Sequence, residues 1–175
     1  MVLPFTHEPF TNFNEEEHVM EFSAALKKVE KELGKNYPLV INGERIFTTK
    51  KIVSVNPANK EQIIGKVAKA TKKHIDAAME SALEAFQEWR QMTPFARANV
   101  LFKAANIVRK RKHEISAWLV YEAGKPWDQA DGDTAEGIDF LEYYGRQMLA
   151  LANGKPMNDR KNEHNHYFYQ PMGPG

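Results

Sequence analysis

The chain contains no cysteine. That absence excludes a disulfide, a thiolate metal site and a cysteine nucleophile within these 175 residues. It fits a reducing compartment and is compatible with any other. An excess of one charge is missing too. The 24 basic residues face 23 acidic ones, a formal net charge of +1, so the balance gives no reason to expect nucleic acid or an anionic membrane as the main partner. No apolar run approaches the roughly 20 residues that span a bilayer. Near the N-terminus, Pro4, His7, Glu8 and Pro9 stand where a secretory leader would carry a cationic start and an apolar core. The expectation is a cytoplasmic protein. There is no internal repeat and no low-complexity tract.

What is present is an ordinary globular composition, 42% hydrophobic and 27% charged. A chain of this length can form one domain that buries roughly 70% of its unfolded surface. Residues 1–14 read as an extended arm. Asn14 is placed to cap a helix over about 15–33, with Glu15, Glu16 and Glu17 at the positive end of its dipole and Gly34 at its close. Val19, Phe22, Leu26, Val29 and Leu33 make one apolar stripe along it.

Between Tyr37 and Ala70 the period shortens to that of strands. Leu39-Val40-Ile41 enters the turn dipeptide Asn42-Gly43, and Arg45-Ile46-Phe47-Thr48 returns. Ile52-Val53-Ser54-Val55 runs into Asn56-Pro57, and Gln62 to Val67 forms another strand. From Thr71 the pattern is helical almost to Asn153. Ile75, Ala78, Met79, Ala82, Phe86 and Trp89 share one face. Thr93-Pro94 is an N-cap followed by proline at the first helical position, where its missing N–H costs nothing. A helix with Leu101, Ala104, Ala105 and Val108 ends in Arg109-Lys110-Arg111-Lys112. A short one with Ile115, Trp118 and Leu119 stops at Gly124. A last helix starts near Asp128 or Asp133 and carries Ala135, Ile138, Leu141, Met148 and Ala152. His166-Tyr167-Phe168-Tyr169-Gln170 reads as a strand in need of a neighbour. The polypeptide is expected to continue beyond Gly175.

The run Tyr121-Glu122-Ala123-Gly124-Lys125-Pro126-Trp127 carries more than helix punctuation. It resembles the Glu-x-Gly-Lys-Pro segment of the aldehyde dehydrogenase superfamily. Further segments resemble that family in the right order. They are Ile41-Asn42-Gly43-Glu44, Val55-Asn56-Pro57-Ala58, the helix from Ala77-Ala78 to Ala85-Phe86-Gln87-Glu88-Trp89, Ala96-Arg97, and Tyr169-Gln170-Pro171-Met172-Gly173. The 1-pyrroline-5-carboxylate dehydrogenase branch is resembled through Glu8-Pro9-Phe10, Glu30 to Gly34, Tyr37-Pro38-Leu39, Arg109 to Glu114, and Ala135-Glu136-Gly137-Ile138-Asp139-Phe140-Leu141-Glu142-Tyr143-Tyr144. The resemblance covers essentially the whole chain.

The resemblance implies an α/β, aldehyde dehydrogenase-like fold, of which this chain supplies the helix-rich N-terminal part with short β-hairpins. Residues 15–160 would belong to the cofactor-binding domain, and 161–175 would lead towards an oligomerisation region. It implies NAD-dependent oxidation of L-glutamate γ-semialdehyde, with a homo-oligomer and the remainder of the enzyme as partners. The oxyanion asparagine, the nucleotide-phosphate site, the glutamate base and the cysteine nucleophile of the family lie beyond this chain. The thiol forms the covalent intermediate, so these residues alone are expected to be inactive, and no NAD-binding residue is assigned among them.

Within the chain, the resemblance offers Glu136 for the substrate's amino end, through a charge-assisted hydrogen bond; the alternative is a solvated helix glutamate. It offers Glu122, with the backbone oxygens of Ser54 and Val55, for a monovalent cation; the alternative is a glutamate that orders a turn. Lys125 reads as an exposed lysine beside that turn. The Arg109–Lys112 cations fan around a helix end where the dipole favours them, which argues against nucleic-acid binding. His164 and His166 lack zinc spacing, and Gly173-Pro174-Gly175 is not a dinucleotide fingerprint. The rival from another class is a non-catalytic helical interaction module derived from the family.

Overall fold

A computed structural model describes residues 2–175. Its elements run α1 (Glu16–Glu30), β1 (Lys35–Tyr37), β2 (Leu39–Ile41), β3 (Glu44–Ile46), β4 (Lys51–Asn56), β5 (Asn59–Ala68), α2 (Lys72–Trp89), α3 (Pro94–Lys110), α4 (Lys112–Ala123) and α5 (Trp127–Leu151). β5 is the centre of a three-stranded sheet, with β1 parallel on one side and β4 antiparallel on the other. β2 and β3 pair separately as a hairpin. Asn42 (φ 51°) and Gly43 (φ 77°) both take left-handed values, the geometry of a two-residue primed turn that matches strand twist.

α5 is the spine of the helical layer. It packs on α3 and α4, and α4 carries α1 on its other side. The largest fully buried side chains are Phe22 and Val29 of α1, Ser116 of α4, and Asp131 and Ile138 of α5. Phe22 lies tilted against Trp127 at 4.8 Å and meets Phe13 edge-to-face at 5.2 Å, so arm, α1 and α5 share one aromatic cluster. Ser116 and Thr134 hydroxyls bond each other at 2.8 Å, and Thr134 Oγ1 donates to the Ala130 carbonyl at 3.0 Å, which satisfies the buried polar groups between α4 and α5.

Two glycines are fixed by close approach. Gly124 closes α4 at φ 66°, and a Cβ there would stand 2.9 Å from Cγ of Pro57. The Asn56-Pro57 turn is therefore pressed against the helix end. At Gly145 a Cβ would overlap the Phe102 ring, so its absence lets α3 lie close to α5.

Three expectations change. α1 starts at Glu16 behind Glu15 rather than behind Asn14, because Asn12 takes the local role. Its side-chain oxygen accepts from the Asn14 N–H at 3.2 Å, and its carbonyl accepts from the Glu15 N–H at 3.2 Å. α1 also ends at Glu30, with turns carrying the chain to Gly34. α5 begins at Trp127, beside the first of its two expected starts and directly after Pro126, whose fixed φ enters the helix. Residues 166–170 form no strand; the Lys155–Tyr167 bridge is isolated, since among the described residues no second strand lies beside this segment to extend the ladder. No helix among the described residues is long and apolar enough to cross a membrane.

Candidate functional site

The two faces of α5 do different work. The inner face is held from the N-terminal arm. Thr11 donates to Asp131 through its N–H at 2.8 Å and its hydroxyl at 2.6 Å, and Lys112 Nζ reaches the same carboxylate at 2.9 Å. Next, the Glu8 N–H donates to Asp139 at 2.7 Å, and Arg109 joins Glu8 at 2.8 Å to Glu142 at 3.1 Å. Arg146 then binds Glu142 at 2.7 Å and the Leu3 carbonyl at 2.9 Å. Asp131 is 1% exposed. Burial works against its ionisation, but the Thr11 hydroxyl and N–H and the Lys112 ammonium outweigh that and hold its carboxyl below the usual range. For Glu142, burial is likewise outweighed by Arg146 and Arg109.

This clamp was not read from the sequence. Its one signal was Asp131 standing on the apolar stripe of Ala130, Thr134, Ala135 and Ile138. A carboxylate there needs buried partners. The Arg109–Lys112 cluster is corrected accordingly. Arg109 and Lys112 are anchors of the arm, and Arg111 pairs with Glu114 at 2.5 Å, rather than forming a solvated helix end.

The outer face of α5 presents Glu136, Phe140, Tyr143 and Tyr144. Glu136 is exposed. Asp131, Asp133, Asp139 and Glu142 of the same helix are all paired, while Glu136 has no hydrogen-bond or ion-pair partner among the described residues. Lys125 pairs with Asp133 instead of standing free beside its turn.

The second group of expected residues is brought together only in part. Ser54 Oγ donates to Glu122 Oε1 at 3.0 Å across β4 and α4. Both line a cleft of about 610 Å³ between α1, α4 and the sheet, together with Lys28, Tyr37, Arg111 and Trp118. Val55 is 39% exposed on β4 and is not among the cleft-lining residues. Ser54 and Glu122 suit a monovalent cation as neighbouring oxygen donors, and no cluster of three or more His, Asp or Glu suited to a metal occurs among the described residues. The cleft's cations already share a carboxylate partner. Arg111 and Lys28 both bond Glu114, and those hydrogen bonds, Arg111 first, lower its carboxyl to about 2. The residues present do not fit the phosphates of a dinucleotide. α2 to α5 are entered through Thr71, Thr93, Arg111 and Pro126, and none follows a glycine-rich turn.

The chain is similar to known proteins along its whole length. Residues 46–175 match the aldehyde dehydrogenase family. Over 175 residues the chain is 63% identical to 1-pyrroline-5-carboxylate dehydrogenase of Oceanobacillus iheyensis, covering 100% of this chain and 34% of that protein. It is 58% identical to 1-pyrroline-5-carboxylate dehydrogenase 2 of Bacillus subtilis, covering 99% and 34%. The crystal structure of 1-pyrroline-5-carboxylate dehydrogenase from Thermus with bound NAD superposes with a TM-score of 0.93 at 41% identity, covering 98% of this chain and 33% of that one. The chain thus spans about a third of the length of the relatives it matches. Its fold is α/β and aldehyde dehydrogenase-like, and the chain belongs to the aldehyde dehydrogenase family.

Proposed function

We propose that this chain is the N-terminal third of a cytoplasmic, NAD-dependent enzyme that oxidises L-glutamate γ-semialdehyde to glutamate. The observation that carries this reading is similarity along the whole chain, 63% identity and a matching fold, to proteins named for that activity. NAD accepts the hydride in such an oxidation, and neither it nor the attacking thiol is held by residues of this chain. The chain's own share is to build and orient one wall of the substrate site. The arm fixes α5 through Asp131, Asp139 and Glu142, and α5 carries Glu136 with a free carboxylate for the substrate's ammonium. Ser54, Val55 and Glu122 are proposed to hold a monovalent cation where β4 meets α4.

The apolar faces left bare support a larger polypeptide around them. α2 has no buried residue, and Ile75, Met79 and Leu83 are about half exposed. Tyr167, Phe168 and Tyr169 are exposed as well, and we assign that segment to contact within a homo-oligomer. The test is steady-state NAD reduction. The full-length protein carrying this chain reduces NAD with the semialdehyde, and the purified 175-residue chain does not. Turnover by the short chain, or none by the full-length protein, overturns the reading.

A further inference from the structure

Resting on the reading that Glu136 receives the substrate's ammonium, we propose that Phe140 is a specificity-determining residue. Its ring forms the second wall of the same subsite and faces the cation. Glu136, Phe140 and Tyr144 follow one another at i, i+4 and i+8 along the outer face of α5. Helical side chains lean towards the N-terminus of their helix, so the Phe140 ring covers ground on the Glu136 side of its own Cα. The ring is 50% exposed and is not held by the core. It is held by Tyr144, whose ring stacks on it at 5.9 Å and 26°, and Tyr143 meets Tyr144 edge-on at 5.4 Å. An exposed aromatic pair built this way offers a fixed π face.

Next to it the helix is low. Gly132 lies one turn before Glu136, and Gly137 follows it. A Cβ at either would meet nothing within 4 Å. A helix interior disfavours glycine, and packing within this chain requires neither one. Their effect is to leave room at the backbone on both sides of the free carboxylate. Carboxylate, open floor and aromatic wall together suit a small primary ammonium. The carboxylate supplies a charge-assisted hydrogen bond, and the ring supplies the attraction of its quadrupole for a cation.

The experiment uses the full-length protein and two substrates, L-glutamate γ-semialdehyde and 5-oxopentanoate, the same aldehyde without the amino group. The readout is the ratio of their kcat/KM values. Phe140→Leu removes the π face and is expected to lower the ratio about 3- to 10-fold, the range of a partly desolvated cation–π contact. Phe140→Met, a second replacement without a π face, gives the same fall, and Phe140→Tyr stays within about twofold of the parent. A ratio lowered by Glu136→Gln but unchanged in Phe140→Leu and Phe140→Met overturns the role of Phe140 and leaves that of Glu136 standing. A ratio unchanged in all variants overturns both. An equal loss for both substrates shows a packing role and also overturns the proposal.

Discussion

Replacing Asp131 by Asn keeps the shape of the side chain and removes its charge. In the parent, three donors converge on the carboxylate: the Thr11 N–H, the Thr11 hydroxyl and the Lys112 ammonium, at 2.6 to 2.9 Å. The amide keeps one acceptor oxygen for the Thr11 N–H and Lys112, its NH2 forces the Thr11 hydroxyl to turn and accept instead of donate, and the Lys112 ammonium loses its countercharge. Breaking a buried ion pair costs about 3–5 kcal/mol. Lys112 keeps the Pro9 carbonyl at 2.9 Å, so the lower end, ~3 kcal/mol, applies. At 1.4 kcal/mol per tenfold, that makes local opening of the arm roughly 100 times more frequent. Amide hydrogen exchange reads this directly, since the Thr11 N–H is itself bonded to the side chain of residue 131. The Glu8 N–H, bonded to Asp139 at 2.7 Å, is the internal control and should accelerate much less. If Thr11 exchange in Asp131→Asn stays within about threefold of the parent, the clamp is not what holds the arm.

Gly124→Ala should destabilise the protein by ~2 kcal/mol or more, seen as a lowered Tm. The left-handed backbone costs an L-residue about 1–2 kcal/mol, and the new methyl would meet Pro57 at 2.9 Å; a Tm within a degree of the parent would contradict the contact. Acid stability should depend on Glu114. Its carboxyl lies at about 2 when folded against an ordinary 4.5, so its contribution is complete above the ordinary value and is lost as pH falls through the folded one. Glu114→Gln should therefore flatten the fall of Tm between those two values, and an unaltered slope would show that Arg111 and Lys28 do not bind it in solution.

Much of this was legible in the sequence because local chemistry decides it. Asn42-Gly43 can hardly be anything but a primed turn. Thr93-Pro94 and Gly124 set helix boundaries through φ and a missing N–H, which no tertiary contact needs to supply. The tail failed for the opposite reason. Tyr167 to Tyr169 have strand composition, but a strand exists through its partner, and among the described residues Tyr167 has only the isolated bridge to Lys155. The clamp was hidden because its members lie far apart in sequence, with Thr11, Lys112 and Asp131 meeting only after α4 and α5 pack. The proposal for Glu136 rests on family resemblance. Its environment adds what spacing could not, that the carboxylate is free while four neighbours on its helix are paired.

The bare face of α2 offers the most direct test of the account as a whole. The 175-residue chain is mixed with a separately purified fragment spanning the other two-thirds of the full-length protein, and NAD reduction is followed together with hydrogen exchange across Lys72–Trp89. The account predicts that neither piece turns over the semialdehyde alone, and that mixing them restores activity while α2 amides become protected. Activity of the larger fragment by itself, or restored activity with α2 exchanging as freely as before, would contradict it.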